Sequence, residues 1–196
     1  MCKFSESTKQ KLGNTVVYIA HHTSNLSKTK LLKLLYLMEE RMALKFHVPF
    51  IGTPFEVWQA GPVAKDVFID LSDGPFLLKS FVKTDFRDGG TFIEAVADFD
   101  DSEFSECEIE MMDEVLAKYG NMTASELVSE THKEGTLWYR TAARAGLLEA
   151  FNKHKWNKSD QQINFTEAMS DCAAEDYRES LNIRQTANLL NAESHV

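Results

Sequence analysis

Apolar residues recur along this chain mostly at three- and four-residue intervals, the spacing that gathers side chains on one face of an α-helix. Leu12, Val16, Ile19 and Ala20 keep that rhythm and predict a first helix over residues 7–22, with Ser7 as its N-cap. The strongest pattern runs over residues 29–46. Leu31, Leu35, Met38 and Met42 form one stripe, Leu34, Leu37 and Leu44 a second, and Leu32, Tyr36 and Ala43 widen it. A helix apolar on most sides belongs at the centre of a core. Lys30, Lys33, Glu39 and Glu40 supply its limited polar face. His47-Val48-Pro49 ends it, because the residue before proline disfavours the helical region.

Residues 55–60 read as a short strand or extended segment. Gly61-Pro62 then opens a third helix over 62–71, since proline at the first helical position loses no hydrogen bond. Residues 77–84 and 91–97 read as the strands of a hairpin whose connection, 85–90, contains the turn signal Asp88-Gly89. In residues 103–119, Phe104, Cys107, Met111, Met112, Val115, Leu116 and Tyr119 share a helical face that Gly120 closes. Thr123 and Glu126 form a capping box for a helix over 123–133, and a further helix spans 137–151. A polar loop follows over 152–162. Residues 164–180 predict another helix, with Asn164 and Glu167 as a second capping box, and 183–191 a short helix or frayed tail. The expected fold is mainly α with a small β-hairpin (α+β), a compact single domain built around a buried central helix at about 29–46. Residues 1–151 make the domain, and 152–196 a loop and helical extension packed on it.

The chain has 196 residues, long enough to bury a core without disulfides or metal. Its net charge of −9 repels a phosphate backbone, which disfavours direct DNA or RNA binding and suits a basic protein partner better. Cys2, Cys107 and Cys172 are far apart and odd in number, so they are not a disulfide framework. No stretch approaches the ~18 apolar residues of a membrane span, and the start has no signal core. A soluble protein of the reducing cytoplasm is the expectation.

There is no phosphate-binding loop, dinucleotide loop or zinc-type Cys/His spacing. His21 and His22 are adjacent on a helix and point apart, so they do not chelate together. Asp98, Asp100 and Asp101 lack the glycine and terminal glutamate of a calcium loop. Cys107 sits on an apolar helix face, and Asp171 beside Cys172 would raise a thiol pKa. His132 with Glu130 or Glu134 could move a proton, but no nucleophile and orienting group accompany it. The expectation is a binding protein that is not an enzyme and uses no cofactor or metal.

Three segments, in order, carry a recognisable signature: Lys30-Leu31-Leu32-Lys33-Leu34-Leu35-Tyr36; Trp58-Gln59-Ala60-Gly61-Pro62-Val63; and Glu126-Leu127-Val128-Ser129-Glu130-Thr131-His132, with Glu134 and Trp138 behind. Together they resemble the Panacea domain, the SocA-like or phage-associated GepA-like antitoxin family, over residues 10–140. The resemblance implies an antitoxin of a bacterial or phage toxin–antitoxin pair that neutralises its cognate toxin by direct protein contact. It also implies a mainly helical fold with a small hairpin. The candidate partner-binding residues are Trp58, Gly61, Pro62, Val63, Thr131, His132 and Trp138. Each has a purely structural alternative. Gly61 and Pro62 can set a turn, Thr131 and His132 can fix a helix end, and the tryptophans are either core or exposed anchors. A second class of function is an adaptor or regulatory protein that delivers or inhibits a partner, using the 152–160 loop or the Ser194-His195-Val196 end.

Overall fold

The computed structural model describes residues 4–193; Cys2 and the Ser194-His195-Val196 end lie outside them. The first helix, α1 (Glu6–His22), is capped by Ser5, whose side chain accepts from the Thr8 amide. Ser7, the expected cap, is inside the helix, and its hydroxyl donates to Glu103 instead. The central helix, α2 (Lys28–Phe46), starts at Ser27 and ends at His47, which adopts a left-handed φ of 56° and donates to the Ala43 carbonyl. Leu31, Leu34, Leu35, Met38 and Met42 are all buried, as the double stripe predicts. The expected polar face is largely absent: Lys30, Lys33 and Glu39 are buried as well.

After α2 the chain forms a small hairpin, β1 (Glu56–Trp58) and β2 (Gly61–Val63), with Trp58 opposite Gly61 and Val57 opposite Pro62. This corrects the expectation that Gly61-Pro62 opens a helix. Gly61 at φ +95° makes the hairpin turn, and the helix, α3 (Lys65–Asp70), begins three residues later. Proline is tolerated because β2 is an edge strand. The other side of β1 is occupied by residues 157–163, for Val57 N–H donates to Gln161 O at 2.8 Å and Ile163 N–H to Phe55 O at 2.8 Å.

The second hairpin is β3 (Val82–Arg87) with β4 (Gly90–Ala95). Asp88 and Gly89 carry φ of 52° and 74°, the two left-handed residues of a tight two-residue turn. The strands therefore run up to the turn, and residues 85–87, expected in the connection, are paired. Residues 77–81 are not strand. The Asp70 carboxylate accepts from the Phe76, Leu77 and Leu78 amides and holds them in a turn.

Then come α4 (Glu106–Tyr119), capped by a Ser105/Glu108 box, and α5 (Ala124–Thr131), capped by the expected Thr123/Glu126 box. The helix expected over 137–151 is two, α6 (Leu137–Arg144) and α7 (Leu147–Asn152), divided at Gly146 with φ 66°. The helix expected over 164–180 is also divided. Asn164 caps only a short 3-10 turn, Phe165–Ala168, and Glu167 pairs with Arg144 rather than completing a box. Met169 is extended, and α8 (Asp171–Glu193) runs on through the predicted tail. No helix among the described residues is long and apolar enough to cross a membrane.

One consequence is testable at the centre of α2. Leu35, 3% exposed, is replaced by an unpaired carboxylate in Leu35→Asp. A buried charge costs several kcal/mol against a total stability of ~5–15 kcal/mol. The variant is expected in inclusion bodies, or without a cooperative thermal transition by circular dichroism. A normal melting curve would show that α2 is not the keystone.

Candidate functional site

The three sequence segments, far apart in the chain, meet at one place. Lys33 on α2 points at the β1–β2 hairpin, where its amine donates to the Pro62 carbonyl at 2.9 Å. Gly61 is pressed between this lysine and α5. A Cβ built there would lie 2.7 Å from Lys33 Cε, 2.9 Å from Thr131 Oγ1 and 3.3 Å from His132 Cε1. Only glycine fits, on space and on φ alike. Thr131 donates its hydroxyl to Val128 O at 3.0 Å, while its own carbonyl accepts from Thr136.

His132 closes the hairpin tip from the other side. Its Nε2 lies 3.0 Å from Gln59 O and its Nδ1 2.5 Å from Val128 O. Both oxygens only accept, so donating to both would require the imidazolium. Burial, aided by the charge of Lys33, instead holds the ring pKa below its usual 6.5 despite those two carbonyls. The neutral ring donates to one of them. The indole of Trp138 packs on the imidazole at 3.7 Å between centroids, and its Nε1–H donates to Trp58 O at 3.1 Å. Trp58 Nε1–H in turn donates to Glu56, which also pairs with Lys65.

This cluster is a latch that ties α2, the hairpin and the α5–α6 corner together. Of the seven candidate contact residues, Trp58, Gly61, Pro62, Val63, Thr131 and Trp138 are buried, and only His132 is partly exposed. The tryptophans, at 7% and 2% exposure, are core residues and not exposed anchors. What the latch presents at the surface is the hairpin tip, half-buried Gln59 and exposed Ala60.

Among the remaining candidates, His22 and Asp100 have ordinary structural roles. The His22 ring packs on Tyr18 at 4.1 Å, and Asp100 caps the Ser102 amide. Cys107 is half-buried and Cys172 exposed. The 152–160 segment, expected as an accessible loop, is tied down in its second half, because Gln59 N–H donates to Asn157 O and Ser159 Oγ to Val57 O.

Two structural contacts are not evident from the sequence. Glu39, fully inside, accepts from the backbone amides of Phe50, Ile51 and Gly52 and fixes the loop after α2. Lys11 and Glu108 form a buried pair at 2.5 Å between α1 and α4. The available signal was a charge placed within an otherwise apolar helix stripe. Charge is also unevenly spread. Residues 88–117 contain eleven of the thirty Asp and Glu residues and no Lys, Arg or His, so the rest of the chain is close to neutral.

Compared with protein-family models, the chain matches the one described as antitoxin SocA-like, Panacea domain, over residues 31–139. That span contains every latch residue. No curated protein and no solved structure matches the chain.

The latch makes two measurable statements. Gly61→Ala should lower stability by at least ~1–3 kcal/mol through backbone strain alone, read as a lower melting temperature; an unchanged value would show that the hairpin is not clamped. Lys33 supplies the second. Burial pushes its amine down to about 7 from 10.5. Between those values the unfolded chain holds a proton that the folded chain has released, so Lys33 makes stability rise with pH, at up to about 1.4 kcal/mol per pH unit. Denaturant melts of wild type and Lys33→Met from pH 7 to 10 should differ in slope in that sense. Parallel curves would mean that the amine is solvated.

Proposed function

The chain belongs to the SocA-like antitoxin family with a Panacea domain, and from that premise we propose that it is the antitoxin of a bacterial or phage two-gene pair, neutralising its toxin by stoichiometric protein contact. The observation that carries the reading is the family match over residues 31–139, with all three signature segments brought into one cluster.

The chemistry of that cluster supports binding over turnover. The Lys33 amine is committed to Pro62 O, and both His132 nitrogens face backbone carbonyls. The groups that could serve as acid, base or nucleophile are spent on holding the fold. We read the signature residues as positioning the hairpin tip, with contact made by what they present and not by their own buried side chains. The acidic 88–117 segment, with Glu106, Glu110 and Asp113 exposed on successive turns of α4, would steer a basic partner and repel nucleic acid. A protein that works in this way is expected in the same compartment as its toxin, the cytoplasm.

Titrating the purified protein against the toxic product of the adjacent reading frame should give an equivalence point near one antitoxin per toxin protomer. Protection at far lower ratios would indicate a catalyst or a recycling adaptor and would sink the reading. Burial also decides how a tryptophan variant behaves. Trp138→Ala should cost about 3–5 kcal/mol, and neutralisation should fall in step with folding. Full stability with lost neutralisation would restore Trp138 as a direct contact.

A further inference from the structure

On the side of β1 away from the latch, the structure contains a cleft of about 620 Å³. That volume is in the usual range for ligand sites. Its walls come from the loop after α2 (Ile51, Pro54), the segment beside β1 (Ile163, Phe165) and α8 (Leu181, Leu189). No Asp, Glu, Lys or Arg lines it; its polar side chains are hydroxyls and amides such as Gln162, Gln185 and Asn188.

Two features give the cleft directional polar groups. The first is Tyr177, on its floor and only 5% exposed. Its ring packs on Phe165, yet its hydroxyl has no hydrogen-bond partner among the described residues. Among the described residues, every side-chain nitrogen or oxygen fully sealed from solvent has a partner. The Tyr177 hydroxyl is therefore not sealed from solvent, and its residue lines the cleft. The second is the backbone of Gln162. Its neighbours Gln161 and Ile163 bond to β1, and Gln162 stands opposite Glu56 as the non-bonded pair of that ladder. Its N–H and C=O are turned away from β1, along an exposed sheet edge at the cleft, where the carbonyl accepts from the Gln161 side chain at 3.3 Å.

We propose that this cleft is the docking groove for an extended, uncharged, apolar segment of the protein partner. The inference rests on the antitoxin reading and adds where and what the partner inserts. An extended backbone adds to the edge at Gln162 as a further strand, and its alternate side chains enter the apolar walls. One of its carbonyls accepts from Tyr177. Charged segments are disfavoured because no charged side chain lines the cleft, and the nearby Glu39 and Arg184 are committed to the backbone of residues 50–52. A small free ligand is the competing occupant, but it would leave the Gln162 edge unused. Much of the wall, Ile163 to Leu189, lies outside the residues matched by the family model, so the groove is a feature of this chain's own extension.

The test uses two variants that spare the fold. Tyr177→Phe deletes a hydroxyl without an internal partner, and Leu189→Asp charges the wall at a residue 61% exposed; both should melt like wild type. In one arm, amide NMR follows titration with the capped peptide acetyl-Leu-Val-Leu-Val-amide. Shifts are expected at Gln162, Tyr177 and Leu181, weakened roughly three- to tenfold in affinity by Tyr177→Phe and abolished by Leu189→Asp. A glutamate-substituted peptide should not bind. Absent shifts, shifts elsewhere, or equal binding of the charged peptide would overturn the groove. In the other arm, both variants are assayed for neutralisation of the adjacent gene's toxin. Full neutralisation by Leu189→Asp would overturn the groove and leave the antitoxin reading standing. Peptide binding without neutralisation by the wild type would do the reverse, leaving a peptide groove in a protein that is not an antitoxin.

Discussion

A helix buried on nearly every side has to find internal partners for each polar group it carries, and α2 is such a helix. Its stem of leucines and methionines is ordinary core. What organises the molecule is that Lys33 and Glu39 are buried with it. An unpaired charge there would cost more than the domain's stability allows. Lys33 therefore takes the Pro62 carbonyl, and Glu39 takes three backbone amides at Phe50, Ile51 and Gly52. These two contacts fix the hairpin and the loop that leads to it. The turn glycine, the histidine clamp and the Trp138–Trp58 bond follow, since each packs against a hairpin whose position α2 has already set.

The two clamps share a logic and differ in sign. Glu39 accepts from amides that would otherwise be orphaned in a buried loop, so its charge is partly neutralised by aligned dipoles even though burial raises its pKa. Lys33 has a single carbonyl and no carboxylate, and burial prevails so far that its proton is loosely held near neutrality. The imidazole of His132 sits between these regimes, with two acceptors urging it to ionise and a dry pocket preventing it. A site where two basic groups are both held near neutral resembles a catalytic centre in its electrostatics. Here the partners of both groups are backbone carbonyls, and the perturbation is a by-product of structural clamping.

How much of this was legible in the sequence depended on the range of the determining contact. Elements set by local chemistry were clear: α2 from its stripes, the β3–β4 turn from Asp88-Gly89, and α5 from its capping box. Errors arose where a distant residue decided the outcome. Gly61-Pro62 has the local signature of a helix start, but Lys33 and the α5 corner hold it as a hairpin turn. Residues 77–81 look like strand until Asp70 claims the amides of Phe76, Leu77 and Leu78. Glu167 fits a capping box by spacing, yet Arg144 pairs with it. The signature segments fall within the matched span 31–139 apart from Lys30. Their convergence and burial were not visible, because sequence order carries no information on which sides of two aromatic rings meet.

That burial bears on how a partner would be selected. Residues sealed inside a latch cannot distinguish one protein surface from another, so on the proposed reading selectivity has to reside elsewhere. The groove under α8 is suited to it. Ile51 and Pro54 come from the loop that Glu39 fixes, giving one rigid wall supplied by the matched domain. The opposite wall is a helix held by few polar ties, chiefly Arg184 to Phe50 O and Asn188 to Thr8. Exchanging side chains on α8 would alter the groove without disturbing α2 or the latch. A rigid wall facing a replaceable one is an arrangement in which the fold is preserved by the first while the partner is chosen by the second.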